Sequence, residues 1–241
     1  MKALFLDFDG LICDTESAAR RSWELLYARL DHELPARVWS AMAGDSSGHV
    51  TAAADLGARL GRPVTAEELS WRAACKAELA DAQPLRPGVV ALLDAARERG
   101  LGLAVVSSSA AHWVRGHLAR LGVLDRFGAV VTGDDVPVHK PAPDLYLHAL
   151  AVTGLTAAHV VAFEDSPAGV AAATAAGLLC VGVPNGAGDP AALGAATLVV
   201  PSLAGLDLDV LAGQVVSELA SGPSTTAARR ASMTTVGEEQ E

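Results

Sequence analysis

The 241-residue sequence is short of aromatic rings, cysteine and basic charge, and each shortage closes off a class of protein. Phe, Trp and Tyr together make up 4% of the chain, so large rings cannot be the main filling of its core. The three cysteines, Cys13, Cys75 and Cys180, are scattered and match no metal-binding spacing. An odd, dispersed set argues against a disulfide framework and fits reduced thiols packed inside a cytoplasmic protein. Eighteen basic residues against 28 acidic ones leave a net charge of −10, which argues against non-specific binding to nucleic acid or to an anionic membrane. Long apolar runs are absent too. The opening MKALFLDFDG is too short for a signal peptide and far too short to span a bilayer.

What is present is a large apolar fraction, 51%, built on Ala and Gly, enough to fill a sizeable core with closely packed helices. Short, continuously apolar runs recur at 2–8, 101–107, 129–132, 159–165, 178–183 and 197–200. Helical patterns separate them at 89–100, 112–122, 143–154 and 167–177, with glycines 100, 122, 154 and 177 at the expected helix C-termini. Strands hidden on both faces and alternating with helices predict an α/β fold, a Rossmann-like, mostly parallel sheet flanked by helices. One interval breaks the alternation. After the first strand come helical stretches at 17–30, 49–61 and 65–82, the last opened by a Thr65–Glu68 capping box. This predicts an inserted α-helical cap domain at 15–84 beside a core domain of 1–14 and 85–220. Residues 221–241 carry few large apolar side chains and are expected to be a disordered tail.

The strand ends carry the chemistry. Asp7 and Asp9 share one side of an extended chain, where they would repel each other unless a cation sat between them. Gly10 permits a tight turn and could offer its backbone amide to an anion. A second acidic strand end supplies Glu164 and Asp165. Carboxylates converging at the carboxyl edge of a parallel sheet make a hard-oxygen site suited to Mg²⁺. The plainer alternative is that each acid caps the following helix. Ser107 and Ser108 end a further strand, and Lys140 precedes a proline-pinned helix start, where it could grip a phosphoryl oxygen.

With DFDGLICDTE, a strand-end Ser107, HKPAPDLY and EDSPAGVAAATAAG in that order, residues 1–200 resemble the haloacid dehalogenase-like superfamily. The resemblance is to its branch with a helical cap after the first strand, which includes β-phosphoglucomutase-like and phosphoglycolate phosphatase-like proteins. It implies a Mg²⁺-dependent phosphatase acting on a small phosphate monoester. Asp7 would be the nucleophile that forms an aspartyl-phosphate. Asp9 would be the general acid and base, with its pKa raised toward neutrality and its backbone carbonyl on the metal. Asp7, Glu164 and Asp165 complete the implied metal set. Ser107, Ser108, Gly10 and Lys140 would hold the phosphoryl group, Lys140 also bridging to Asp7.

The same resemblance leaves the substrate open. Where β-phosphoglucomutases carry a histidine this chain has Ala19, and where they carry a distal-phosphate arginine it has Ser47. Both differences favour a phosphatase over the alternative, a sugar phosphomutase. They also suggest a substrate whose remote end is neutral or differently recognised. Asp45, Ser47 and His49 are candidate substrate contacts in the insert, or simply turn residues. Trp23, which with Trp39 could line the pocket, reads as core, His112 and Arg115 as packed or solvent-facing helix, and Lys76 as misplaced for a Schiff-base role. A non-catalytic binding or regulatory protein on the same fold is the remaining alternative. The expected partner is a small-molecule phosphate ester, with no nucleic acid and no membrane, for a monomer or small homo-oligomer.

Overall fold

The computed structural model describes residues 1–42, 48–186 and 190–221, the side chains of 48, 49 and 215–221 lying outside that description. Among the described residues, six strands form one sheet in which every pairing is parallel. They are β1 (Ala3–Leu6), β2 (Gly102–Val106), β3 (Ala129–Val131), β4 (Val160–Glu164), β5 (Leu179–Gly182) and β6 (Leu198–Val199). All fall inside the runs expected from the sequence. The spatial order is β3-β2-β1-β4-β5-β6. The chain therefore winds outward one way from β1 through β2 and β3, then returns to β1's other side for β4. Such a reversal opens a crevice at the carboxyl ends of β1 and β4, where α/β sheets bind ligands.

Helices α5 (Val89–Glu98), α6 (Ala111–Arg120), α7 (Asp144–Thr153) and α8 (Pro167–Ala175) connect the strands. The glycines expected at helix ends, 100, 122, 154 and 177, all adopt a left-handed backbone, which stops each helix without a Cβ clash. The scarcity of rings has its counterpart on α8, which settles on the sheet through Val170, Ala172 and Ala173 against Phe5 and Ala162. Small side chains let the helix approach closely. Cys13 and Cys180 are free and buried, and Cys75 is free, as the scattered spacing suggested.

The insert after β1 holds α1 (Thr15–Arg29), α2 (Ala36–Met42), α3 (Gly48–Leu60) and α4 (Ala66–Asp81). It has an apolar cluster of its own, in which Trp23, Leu26 and Tyr27 of α1 meet Trp39 and Met42 of α2 and Leu56 of α3. The Tyr27 hydroxyl is spent inside it, donating to the Ala52 carbonyl at 3.0 Å and to Asp55 Oδ2 at 3.1 Å. The two connections to the sheet run side by side. Cys13 bridges antiparallel to Leu85, and the Arg86 amide donates to the Ile12 carbonyl at 2.9 Å. Helix α2 was not expected. Seven residues are too few to establish a helical period, and its burial of Val38, Trp39 and Met42 comes from the neighbouring helices rather than from its own pattern. A further helix, α9 (Leu208–Ser221), lies in a separate unit that begins at Asp207, and was likewise not expected. Among the described residues no helix is long and apolar enough to cross a membrane.

The capping box of α4 is present, with the Thr65 hydroxyl accepting from the Glu68 amide and the Glu68 carboxylate accepting from the Thr65 amide. Arg62 clamps the same carboxylate through both terminal nitrogens, at 3.0 and 2.7 Å. Those hydrogen bonds, Arg62's first and the Thr65 amide's second, pull the Glu68 carboxyl from 4.5 down to about 2. A depressed acid stabilises the fold above its unfolded pKa and loses that contribution as pH falls toward the folded one. Thr65→Ala is expected to cost about 1 kcal/mol, read by urea unfolding. Glu68→Gln should lower the melting temperature at pH 7, the gap to wild type narrowing below pH 4.5 and closing near 2. A gap independent of pH would show that the ionised side chain contributes nothing.

Candidate active site

The strand order brings five strand ends to one edge of the sheet. Asp7 follows β1, Ser107 follows β2, Lys140 lies in the segment after β3, Glu164 and Asp165 end β4, and Asn185 follows β5. Lys140, almost fully buried, is at the centre. Its ammonium meets Asp7 Oδ1 at 2.5 Å, Glu164 Oε1 at 2.6 Å and the Val106 carbonyl at 2.8 Å. Three donors find three acceptors, one from each of three adjacent strands. Tyr146 of α7 donates to the same Glu164 oxygen at 2.5 Å.

Asp7, Glu164 and Asp165 each place a carboxylate oxygen within 4.8 Å of the others. Burial pushes the Asp7 carboxyl up to about 8; Lys140 opposes that rise, and Glu164 and Asp9 add to it. Burial also holds Asp165 well above its ordinary value, helped by Asp7, Glu164 and Glu16. One lysine does not balance three buried acids. Glu164 Oε2 is moreover a buried oxygen without a hydrogen-bond partner. Asp165 is held by Asn185, which donates to Oδ2 at 2.6 Å, and no described residue donates to Oδ2 of Asp7. All the donors here are hard oxygens, so the residues fit a Mg²⁺ ion. Two glycines make the room. A Cβ on Gly10, whose φ is +84°, would stand 1.8 Å from Asp165 Oδ2, and one on Gly169 would stand 1.8 Å from Glu164 Oε2. The helix-cap alternative for Asp165 does not hold, because Ser166 caps α8 by accepting from the Gly169 amide at 3.1 Å.

Asp9 departs from expectation. Its carboxylate does not share a cation with Asp7 but turns to the other side of the crevice, where four donors meet it. Thr15 and the Trp113 indole donate to Oδ1 at 2.7 and 2.9 Å, and Ser107 and Ser109 donate to Oδ2 at 3.2 and 2.6 Å. Burial acts to raise its pKa, but the Lys76 ammonium and the bonds from Ser109, Thr15 and Trp113 outweigh it and hold the carboxyl below its usual value. The expected rise toward neutrality is absent from this arrangement. The strand ends at Leu6, so the period-two geometry that would align Asp7 with Asp9 does not extend that far. Gly10 needs a similar correction. Its amide donates to the Cys13 carbonyl at 2.8 Å, so the residue clears space beside Asp165 rather than offering a donor to an anion.

The crevice opens into a cavity of about 320 Å³ between the sheet edge and the helical insert. Ser107 and Ser108 line it, the Ser108 hydroxyl accepting from the Lys140 amide at 3.3 Å. So do Ser109 and Arg72, which the sequence did not single out, and Lys76, considered there only for a Schiff-base role, while Trp23 serves both the core and the wall. Lys76 lies 4.6 Å from the centre of the Trp113 ring. His112 and Arg115 face outward as expected, and it is Trp113 between them that turns inward. Asp45 and Ser47 lie outside the described residues, as does the side chain of His49.

A family model for haloacid dehalogenase-like hydrolases matches residues 1–177. The chain belongs to that family. Among its relatives, the YhcW protein of Bacillus subtilis is 40% identical over 186 residues, covering 77% of this chain and 84% of that one. A phosphoglycolate phosphatase of Neisseria meningitidis is 30% identical over 195 residues, covering 78% and 83%. The crystal structure of CbbY from Rhodobacter sphaeroides in complex with phosphate superposes with a TM-score of 0.68 at 26% identity, covering 86% of this chain and 96% of that one.

If the three carboxylates hold a divalent ion, removing one of them has opposite effects with and without it. In EDTA, Asp165→Asn should raise the melting temperature by relieving repulsion. Adding Mg²⁺ at about 100 times its Kd should stabilise the wild type by about 2.7 kcal/mol and the variant far less. Equal Mg²⁺ shifts in the two proteins, by differential scanning calorimetry, would place the ion elsewhere.

Proposed function

We propose that this haloacid dehalogenase-like protein is a Mg²⁺-dependent phosphatase that hydrolyses a small phosphate monoester through an aspartyl-phosphate on Asp7. The observation that carries the reading is the way Lys140 holds Asp7. The ammonium fixes one carboxylate oxygen, leaves the other without a donor from the described residues, and aims it at a cavity of small-molecule size. The relative from Neisseria meningitidis is named a phosphoglycolate phosphatase, and the CbbY structure was obtained with phosphate, which supports phosphoryl chemistry at this edge. We take residues 15–84 as a cap over a core of 1–14 and 85–206, the expected core bound of 220 being cut back because a separate unit begins at Asp207.

In the first step the Asp7 carboxylate forms a bond to phosphorus while the bond from phosphorus to the ester oxygen breaks, and the departing alkoxide takes up the proton of a protonated Asp9. In the second, water attacks the acyl-phosphate, its proton passes to a carboxylate, and the bond from Asp7 to phosphorus breaks. Asp9 suits the second step as it is held, because its four donors and Lys76 keep it ionised and able to accept a proton. Giving a proton to the leaving group requires Asp9 to be protonated, as acceptance of the water proton in the preceding turnover leaves it, and to exchange those donors for the ester oxygen. Asp7, Glu164 and Asp165, with the Asp9 carbonyl, would hold Mg²⁺. The ion, when bound, neutralises phosphoryl oxygens so that an anionic nucleophile can approach. Ser107 and Ser108 are the groups we assign to the phosphoryl oxygens. Lys140 serves as the positioning residue, since all three of its donors have protein acceptors.

Hydrolysis of p-nitrophenyl phosphate with Mg²⁺ is the first measurement. Asp7→Asn should lower kcat by at least about a thousandfold, and rapid quench of the wild type with a slow substrate should trap phosphate on protein in an acid-stable, hydroxylamine-labile form. Asp9→Asn should lower kcat by about a hundredfold or more, within the range for losing a general acid and base. Full turnover by Asp7→Asn would sink the reading.

A further inference from the structure

Arg72 of α4 is out of keeping with the other cations of the cavity. Its Nε is buried and has no hydrogen-bond partner, and among the described buried side-chain atoms it shares that state only with Glu164 Oε2 of the metal cluster. Its guanidinium carbon lies 4.9 Å from the centre of the Trp23 ring, which supports it on one face. No described carboxylate is paired with it, and burial pushes its pKa below the ordinary value. Arg37 and Arg59, on the outer surface of the same insert, both reach Asp55, and Arg62 clamps Glu68. A half-buried cation without a counter-charge is unfavourable to keep, and a guanidinium seated over an indole beside a cavity can turn its terminal nitrogens to oxygens there.

The position of Arg72 says which oxygens. Lys76, one helical turn on, lies over Trp113, whose indole is bonded to Asp9. Arg72 is displaced from Lys76 by about 6 Å along α4. Trp23 is two turns along α1 from Thr15, which also bonds Asp9, a displacement of about 12 Å. Arg72 therefore lies farther along the insert from the Asp9 side of the cavity than Lys76 does, beside Trp23, in a wall that also includes Trp39 and Met42.

We propose that Arg72 binds an anionic oxygen group, a carboxylate or a second phosphate, at the end of the substrate remote from the phosphoryl group that is transferred. The proposal rests on the phosphatase reading and narrows it to esters bearing a second acid. Of the two options left open by the serine at position 47, a neutral remote end or one recognised differently, it takes the second. A hydroxyl would satisfy a donor but leave the half-buried charge unmatched.

Three probes separate the possibilities: 2-phosphoglycolate, 1,3-propanediol bisphosphate and 2-hydroxyethyl phosphate, whose remote groups are a carboxylate, a phosphate and a neutral hydroxyl. The wild type should show a kcat/KM at least tenfold higher for one acid-bearing probe than for the hydroxyl probe, mostly through KM. Which acid is preferred identifies the group. Arg72→Gln should bring that ratio to about one and Arg72→Lys should keep part of it; a ratio taken within one protein is insensitive to a misfolded fraction. Calorimetric titration of Asp7→Asn, with and without Arg72→Gln, reads the same preference as Kd without turnover. An unchanged ratio in Arg72→Gln, or a wild type with no preference for either acid, overturns the proposal. The two readings fail separately. Turnover of all three probes at equal kcat/KM would leave a phosphatase without this subsite. Tight, Arg72-dependent binding of an acid-bearing probe with no hydrolysis of any would leave the subsite without a phosphatase.

Discussion

The buried ammonium of Lys140 is the contact on which the sheet edge depends. It arrives after β3 and reaches acceptors on β1, β2 and β4. Each of those groups would be a liability alone. Asp7 and Glu164 are buried acids within reach of each other, and the Val106 carbonyl ends a strand with no next residue in the ladder to serve it. A single three-proton donor answers all of them. Removing one member of such a buried set typically costs about 3–5 kcal/mol, because the remaining charges keep their desolvation and lose their partner. Tyr146 adds a neutral donor to the Glu164 oxygen that Lys140 uses, so α7 is tied to β4 by the same carboxylate. The placement of these carboxylates and local folding are thus one constraint.

That constraint sets the division of labour between the two aspartates of the first strand end. Asp7 sits on the side of the crevice with the surplus of negative charge, where burial and two further acids make a second cation favourable. Asp9 sits on the other side, among hydroxyls, an indole and a lysine. The chain needs a break in the extended backbone to send them apart, and Phe8 between them is fully buried, which anchors the turn. Glycine at 10 and 169 then clears the volume that the carboxylates of Asp165 and Glu164 fill. Neither glycine lines the cavity, yet any side chain at either would displace a carboxylate.

Much of this was legible in the residues, for identifiable reasons. The strands of a doubly covered parallel sheet are short apolar runs, and glycines at helix ends mark where each helix stops, so β1–β6 and α5–α8 could be located to within a residue or two. Asp7, Ser107, Lys140, Glu164 and Asp165 stood out because charged or hydroxyl groups immediately after such runs are out of place unless they face a ligand. Thr15, Ser109, Trp113, Asn185 and Tyr146 carry no such signal. Each is one ordinary polar or aromatic residue on an ordinary helix or loop, and its direction is set by tertiary packing. Positions 112, 113 and 114 illustrate the limit: successive helical residues differ by about 100°, so a doubt of one position in where the helix begins decides whether a histidine, a tryptophan or a valine meets Asp9. Helix α2 is too short to show a period, whereas α9, LDVLAGQVVSELAS, carries apolar residues at helical spacing that were legible in the sequence.

The cap cations bring the composition back into the chemistry. With 18 basic residues against 28 acidic ones the chain as a whole repels anions, and the sheet edge by itself concentrates that repulsion in Asp7, Asp9, Glu164 and Asp165. A phosphate ester can enter only where the local field is reversed. Lys140 reverses it from below but spends its donors on the protein. Lys76 and Arg72 come from the insert and have no carboxylate salt bridge among the described residues, so their charge remains directed into the cavity. On this view the insert does more than shield the reaction from water: it supplies the positive potential that the core lacks, from one face of one helix, at a spacing of a single turn. Long-range attraction of an anionic substrate and its recognition at short range then depend on the same two side chains.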